Sequence, residues 1–154
     1  MELLISGASG LLGNRLIKEF SDKYKLNYSS REGNLYNLPY IDIINSNTQI
    51  LTDKLRNIDA VIHLTGLPYQ ICDDKPLESI QLNSLLASKI AIAAKNSNVK
   101  KFIYFSTSRV YKDISLSTKD YIGETEVNDM YSSTKLCTEI LLRTILRNSS
   151  VELS

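Results

Sequence analysis

Three glycines near the amino terminus, each three residues from the next, restrict the fold of this chain more than any other feature. Gly7, Gly10 and Gly13 lie between a short apolar run, Leu3–Ile5, and a stretch whose apolar residues have helical spacing. A buried strand that passes through a glycine turn into a helix is typical of proteins built from βαβ units. The spacing therefore predicts that the amino-terminal segment opens a parallel α/β sheet.

The glycine turn is also suited to binding an anion. Gly7 permits a tight turn, Gly10 lets the backbone approach a pyrophosphate, and Gly13 lets the helix pack close to the strand. Free backbone amides at the start of the helix would face the phosphates of a dinucleotide. The alternative is a strand-to-helix turn that uses glycine only for its geometry, and the turn alone leaves both interpretations open.

The alternation of strand and helix patterns continues along the chain. Strand patterns occupy 3–5, 25–30, 40–43, 60–64 and 101–105, and helical patterns cover 11–20, 48–56, 76–96 and 129–147. Parallel strands joined by right-handed helical crossovers form a sheet that is covered on both faces. We therefore expect one α/β domain over residues 1–154, a Rossmann-type doubly wound parallel sheet of about five strands in order 3-2-1-4-5.

Composition argues against several classes of partner. A net charge of +1 provides no field that would attract nucleic acid or a membrane surface. The apolar runs are too short to cross a bilayer, and no signal peptide is recognisable. Cys72 and Cys137 lie far apart without a CxxC motif, and the single histidine, His63, has no partners at metal-ligand spacing. We expect a cytoplasmic protein without a metal site, with His63 near a cofactor or in the core.

The end of the second strand pattern bears on the choice of dinucleotide. NAD sites commonly have an acidic residue there, for the ribose hydroxyls. This chain has Ser29-Ser30-Arg31 instead, and a guanidinium suits the 2′-phosphate of NADP. Glu32 follows directly and weakens the argument, and Arg31 on a solvated loop is the alternative. The sequence favours NADP over NAD and leaves both open.

A tyrosine and a lysine near the carboxyl terminus have the spacing of an acid–base pair. Tyr131 and Lys135 are four residues apart, so on a helix they share one face. An ammonium near a phenol lowers the phenol pKa, and the tyrosine can then act as a general acid or base. Thr107 follows the strand pattern 101–105 and could polarise a carbonyl. The alternative is a surface pair, but the glycine turn and the hydroxyl cluster favour an active site.

Several motifs in order along nearly the whole chain resemble the extended short-chain dehydrogenase/reductases. The resemblance is to their NAD(P)-dependent epimerase/dehydratase group, which acts on nucleotide sugars. It implies that Asp42 holds the adenine amino group, that the loop after the fourth strand lines the cofactor, and that Asn83 is structural. The matching stretches are residues 7–13, 42–43, 63–66, 102–111 and 131–135.

The resemblance also implies roles for the candidate catalytic residues, which are Thr107, Tyr131 and Lys135. Thr107 takes the place of the catalytic hydroxyl, Tyr131 is the acid/base, and Lys135 binds the nicotinamide ribose and lowers the tyrosine pKa. The candidate cofactor-binding residues are Gly7, Ser9, Gly10, Leu11, Leu12, Gly13, Arg31, Asp42, Ile43, Leu64, Thr65, Gly66, Asn83, Ser106, Tyr131 and Lys135.

The chain departs from the family pattern in three places. Lys112 replaces a glycine, and Ser108-Arg109 replaces the acidic pair of the 4,6-dehydratases, which disfavours dehydration. Family members are also about twice as long, with a sixth strand and a carboxyl-terminal substrate lobe. This chain ends at Ser154, where that strand would begin, so we expect the lobe to be absent.

These features predict an NAD(P)-dependent oxidoreductase or epimerase that acts on a nucleotide sugar by hydride transfer. An apolar stripe on the last helix is expected to cover the sheet, and the resemblance implies that a homodimer could also form through this helix. One alternative is a catalytically silent NAD(P)-binding module or truncated remnant without a substrate lobe. Another is a structural subunit that associates through the edge strand, 101–105, and the last helix.

Overall fold

Five parallel strands form the centre of the computed structural model, which describes residues 1–33, 35–112 and 124–154. The strands are β1 (Glu2–Ser6), β2 (Lys25–Ser29), β3 (Ala60–His63), β4 (Lys101–Tyr104) and β5 (Glu152–Leu153). They lie in the order β2-β1-β3-β4-β5. The predicted α/β class and Rossmann-type parallel sheet are confirmed.

Helices connect the strands and cover both faces of the sheet. The α-helices are α1 (Leu11–Phe20), α2 (Thr48–Lys54), α3 (Tyr69–Cys72), α4 (Pro76–Ser79), α5 (Leu86–Lys95) and α6 (Met130–Leu146). A π-helical segment occupies Ile80–Leu85, and a 3-10 turn occupies Ser108–Val110. In the described part of the chain, none of the helices combines the length and apolar character needed to cross a lipid bilayer.

The two outer positions of the sheet differ in detail from the predicted strands. The segment 40–43 contributes only an isolated parallel bridge between Tyr40 and Tyr28, on the predicted side of β2. The Asp42 carboxylate accepts hydrogen bonds from the amides of Ile44 and Asn45, at 3.1 and 3.0 Å, and this turn ends the extended run. At the opposite edge β5 pairs with Lys101 and Phe102, so the prediction that 101–105 is an exposed edge strand is wrong there.

The alternation of side chains along β1 divides the core into two layers. Leu4 points to the layer formed with α2, α5 and α6, whereas Leu3 and Ile5 point to the layer formed with α1. All three side chains are buried. The sheet is therefore covered on both faces, which leaves the carboxyl ends of its strands as the open edge where a ligand can bind.

The predicted helix 76–96 is interrupted at its centre. Pro76 begins α4, where its missing amide costs nothing, and the chain then widens into the π-helical segment before α5. Asn83 and Ser84 in this segment are buried against α6, where the Ser84 hydroxyl donates to the carbonyl of Thr134 at 3.1 Å. Short π-helical segments occur often at functional sites, and this one faces the helix with the candidate catalytic pair.

Candidate active site

The glycine turn between β1 and α1 adopts a conformation that excludes larger residues. Gly7 has a φ of +73°, and a Cβ there would lie 2.8 Å from the amide nitrogen of Thr65. A Cβ on Gly13 would overlap the carbonyl oxygen of Gly7. Helix α1 begins after Gly10 without a side-chain cap, so its first amides have no partner within the helix. The turn thus presents an uncovered helix amino terminus, which is a favourable place for a phosphate.

A cavity of about 270 Å³ lies directly in front of this turn. It is formed by the turn, the residues that follow β2, and the loop that follows β3, at the point where the strand order reverses. The structure thus brings many of the predicted cofactor residues together. The lining residues are Gly7, Ser9, Gly10, Ser29, Ser30, Arg31, Glu32, Ile43, Ile44, Leu64, Thr65 and Gly66.

Other predicted cofactor residues lie outside the lining of this cavity. Leu11 and Leu12 belong to the first turn of α1, and both side chains are exposed. The Asp42 carboxylate is occupied by the amides of Asn45 and Ile44 and by the Asn45 side chain, which hold its pKa below the usual range. Their predicted contacts with the dinucleotide stay predictions.

A buried serine–histidine pair supports the loop that lines the cavity. The sequence placed His63 near a cofactor or in the core, and it is buried, whereas Ser6 was missed. The Ser6 hydroxyl accepts hydrogen bonds from the amides of Leu64 and Thr65, at 3.1 and 3.4 Å, and lies 2.8 Å from Nδ1 of His63. With two donors on its oxygen, Ser6 donates its proton to Nδ1, which leaves the His63 proton on Nε2. Burial lowers the pKa of His63 to about 3, so the imidazole is neutral. Ser6, a single polar residue at the end of an apolar strand, is the sequence signal that could have indicated this pair.

Asn83 has a structural position, as the resemblance implied. Its Oδ1 accepts from the amide of Leu67 at 2.7 Å, and its Nδ2 donates to the Thr134 hydroxyl at 2.9 Å. A Cβ on Gly66 would lie 2.8 Å from the same Oδ1. Asn83 therefore joins the cavity-lining loop to α6 instead of lining the cavity itself.

Helix α6 carries Tyr131 and Lys135 to the carboxyl ends of β3 and β4. Asp129 is the N-cap residue of this helix, and its carboxylate accepts a hydrogen bond from the amide of Ser132 at 2.7 Å. The buried Lys135 ammonium donates to the carbonyl of Phe105 at 2.8 Å and lies 4.0 Å from where a Gly66 Cβ would stand. The candidate lysine is thus adjacent to the cavity-lining loop.

Burial has the largest effect on the pKa values of Tyr131 and Lys135. Burial lowers the pKa of Lys135 to about 8, and its ammonium lies 5.8 Å from the centre of the Tyr131 ring. Burial also raises the pKa of Tyr131, and the nearby Cys72 raises it further. The prediction that Lys135 lowers the pKa of Tyr131 stays a prediction.

The hydroxyl cluster after β4 lies against α6. Thr107 begins the 3-10 turn that contacts α6, and its hydroxyl accepts from the amide of Arg109 at 3.3 Å. The Ser106 hydroxyl donates to the carboxylate of Glu139 on α6. The structure therefore places Thr107 on an element that contacts the helix of Tyr131 and Lys135, while its role toward a substrate stays a prediction.

An arginine and two tyrosines form a stack beside this cluster. The guanidinium of Arg109 lies 3.8 Å from the centre of the Tyr69 ring, and Tyr69 meets Tyr131 edge to face at 6.0 Å. Arg109 also lies 3.5 Å from the carboxylate of Asp129. Sequence reasoning noted Arg109 only as a departure from the dehydratase pattern and missed Tyr69, for which no local motif gave a signal.

Comparisons with known proteins agree with this geometry. The family model for the NAD dependent epimerase/dehydratase family matches residues 3–152. A UDP-glucose 4-epimerase of Rickettsia prowazekii (strain Madrid E) is 28% identical, over 70% of this chain and 36% of that protein.

Two solved structures show the same fold. MoeE5 in complex with UDP-glucose and NAD is 25% identical, with a TM-score of 0.84 over 100% of this chain and 52% of that one. The UDP-glucuronic acid 4-epimerase of Bacillus cereus, in complex with UDP-glucuronic acid and NAD, is 24% identical, with a TM-score of 0.83 over 99% and 55%. The chain spans about half the length of these solved proteins. Because the family model covers nearly every residue, the chain belongs to the NAD dependent epimerase/dehydratase family.

Proposed function

We propose that this chain is the dinucleotide-binding half of an NAD-dependent nucleotide-sugar 4-epimerase. The observation that carries the proposal is the proximity of the two candidate sites. The Lys135 ammonium lies 4.0 Å from where a Cβ on Gly66 would stand, and the loop that contains Gly66 lines the cavity in front of the glycine turn. A redox cofactor held on the turn and a proton-transferring tyrosine would need this proximity.

The cavity residues fit a dinucleotide. The amino terminus of α1 offers amides to a pyrophosphate, and the missing side chains at Gly7 and Gly10 leave room for the backbone to approach it. Arg31 and Glu32 both line the cavity, and they favour a 2′-phosphate and a ribose diol respectively. The family and its NAD-bound relatives support NAD, so we infer that NAD is the cofactor and NADP the alternative.

The protein side chains would divide the chemistry between binding and proton transfer. When bound, NAD supplies a hydride acceptor and donor. Tyr131 would take the proton of the sugar C4 hydroxyl and later return it, acting as general base and general acid. Thr107 would donate a hydrogen bond to the same oxygen, and the buried Lys135 would hold the nicotinamide ribose. The relatives that are 4-epimerases support C4 as the reacting carbon.

Titration of the purified chain with NADH and NADPH, followed by nicotinamide fluorescence, tests the dinucleotide site. We expect saturable binding, with NADH preferred, and loss of binding in Gly10→Asp because a carboxylate would repel the phosphates at the helix terminus. Arg31→Gln is expected to weaken NADPH binding and spare NADH. Absence of NADH binding by the folded chain would overturn the proposal.

Turnover separates the epimerase from a silent module. Incubation with NAD and either UDP-glucose or UDP-glucuronic acid is followed by proton NMR of the sugar C4 position. The proposal expects C4 epimerisation that Tyr131→Phe abolishes while NADH binding is kept. Binding without turnover would favour the second candidate, a catalytically silent NAD-binding module.

A further inference from the structure

A tyrosine in the loop after β2 is bonded to the glycine turn. The Tyr36 hydroxyl donates a hydrogen bond to the carbonyl of Ala8 at 3.0 Å, although the two residues are 28 positions apart. Ala8 is fully buried, and its own amide donates to the carbonyl of Ser29 at the end of β2, also at 3.0 Å. The turn is therefore fixed to the strand by one bond and to the loop that follows the strand by another.

Tyr36 is itself held in place by a buried residue of β2. Its ring meets the ring of Tyr28 edge to face, with the centroids 5.0 Å apart, and its backbone amide donates to the Tyr28 hydroxyl at 3.1 Å. Tyr28 is fully buried. Burial also raises the pKa of Tyr36, so its hydroxyl keeps its proton and remains a donor at neutral pH. The Tyr36 hydroxyl thus has a defined position against the Ala8 carbonyl.

The Ala8 carbonyl and the Ser9 amide belong to the same peptide group. The described chain contains no cis peptide bond, and a trans peptide directs its N–H opposite to its carbonyl. Because the carbonyl is bonded to Tyr36, the Ser9 amide points away from Tyr36.

This Ser9 amide is an unpaired donor at the cavity. It has no acceptor within residues 1–33, 35–112 and 124–154, whereas the neighbouring amides of Ala8 and Gly10 both have one. Ser9 is exposed and lines the cavity in front of the turn, and Tyr36 lies outside that lining. The bond from Tyr36 thus fixes, from behind, a peptide whose free N–H is available to a ligand.

We propose that Tyr36 is a positioning residue for the cofactor: it holds the Ala8 carbonyl and so presents the Ser9 amide to the pyrophosphate of the dinucleotide. The inference rests on the proposed function, because it takes the cavity as the dinucleotide site. The Ser9 amide would add one donor to the unpaired first amides of α1. An amide whose direction is already fixed binds an anion more tightly, because binding does not have to orient it.

Amide NMR of the 15N-labelled chain tests the role of Ser9. The first probe is ADP, which carries a pyrophosphate group without the nicotinamide half. At saturation with ADP, the Ser9 amide proton of the wild type should shift downfield, because a hydrogen bond to an anionic oxygen deshields it. NADH should produce a shift in the same direction.

Tyr36→Phe tests the role of the tyrosine. The variant deletes one oxygen and keeps the ring against Tyr28, so it should fold, and its amide spectrum checks this. The downfield shift of Ser9 at saturation should be smaller in the variant. The dissociation constants of ADP and NADH should both rise about three- to tenfold, the effect of one hydrogen bond.

Two other tyrosines provide matched controls. Tyr24 packs edge to face on Phe20 in the same layer of the core, and the Tyr40 hydroxyl donates to the carbonyl of Ser30 at 3.3 Å. Tyr40→Phe therefore loosens the same loop without removing the bond to the turn. Both Tyr24→Phe and Tyr40→Phe should keep the full Ser9 shift.

Three results would overturn the role of Tyr36: no Ser9 shift in the wild type, equal shifts in wild type and Tyr36→Phe, or an equal reduction in Tyr40→Phe. NADH binding that leaves the Ser9 amide unshifted would overturn this inference and keep the dinucleotide site. A Ser9 shift with ADP in a chain that does not bind NADH would keep the inference for a phosphate ligand and overturn the proposed function.

Discussion

The side-chain amide of Asn83 donates a hydrogen bond to the hydroxyl of Thr134 at 2.9 Å, and so links the π-helical segment to α6. The Asn83 side-chain oxygen also accepts a hydrogen bond from the Leu67 amide, and the whole side chain is buried. One buried side chain thus couples the loop that lines the cavity to the helix that carries Tyr131 and Lys135.

Removal of this amide should destabilise the protein and uncouple the loop. Asn83→Ala leaves the Leu67 amide buried without an acceptor, a loss of about 1–3 kcal/mol in the free energy of unfolding. Urea denaturation measures it, with Asn98→Ala as the control, because Asn98 makes an exposed bond to the Arg56 carbonyl. Gly66→Ala should cost less in the Asn83→Ala background, since its Cβ would meet the Asn83 oxygen at 2.8 Å. If the losses of unfolding free energy in Asn83→Ala and Gly66→Ala simply add in the double variant, the coupling is contradicted.

A comparison of two glycines with the same backbone conformation distinguishes the cost of a left-handed backbone from the cost of a steric overlap. Gly7 and Gly33 have φ values of +73° and +75°, but only Gly7 is crowded, by the Thr65 amide. Gly33→Ala should cost about 1–2 kcal/mol for the left-handed backbone. Gly7→Ala should cost a further ~1–3 kcal/mol for the overlap and should weaken NADH binding. Equal unfolding free energies for the two variants would show that the close approach is unimportant.

The neutral buried His63 predicts a loss of stability in mild acid. Its folded-state pKa of about 3 lies below the unfolded value, so the unfolded chain binds one more proton between about pH 6.5 and 3. Stability should therefore fall as the pH falls through this range, by about 1.4 kcal/mol per pH unit at most. In His63→Asn the slope between pH 6 and 4.5 should be smaller when measured by urea denaturation. An unchanged slope would contradict the assignment.

The buried Lys135 ammonium predicts a change of the same direction in alkali, where stability rises with pH. Its folded-state pKa of about 8 is below the unfolded value, so stability should rise from about pH 8 to 10 as the folded chain releases its proton first. Lys135→Met should remove this rise and stabilise the chain at pH 7 by up to about 3 kcal/mol. Lys95→Met is the matched control, since its exposed ammonium also donates to a carbonyl, that of Ile145. Identical pH profiles for both variants would refute the prediction.

The sequence was sufficient to predict those features that depend only on residues close together in the chain. The glycine spacing predicted the turn, because a Cβ at Gly7 or Gly13 would meet backbone atoms. The strand and helix periodicities predicted the central strands and α6, because side chains alternate or recur there on buried faces. The spacing of Tyr131 and Lys135 correctly placed both on one helix.

Features that depend on contacts between residues far apart in the chain could not be predicted from the sequence. The extended run at 40–43 ends because the Asp42 side chain competes for the amides of Ile44 and Asn45. The direction of Lys135 depends on the Phe105 carbonyl, thirty residues away. The position of Arg109 depends on Tyr69, and no local motif joins the two.

The widened turn at Ile80–Leu85 gives the helix one residue more than an ordinary pitch would hold. Deletion of a single residue there would let the segment from Pro76 to Lys95 close as a regular α-helix. It would also rotate one half against the other by about 100°. Ser79, bound to the Cys72 carbonyl before the bulge, and Ser84, bound to Thr134 within it, could not both keep their partners. The irregular turn therefore sets the phase between the two ends of the helix, so the number of residues in this region is constrained as well as their identity.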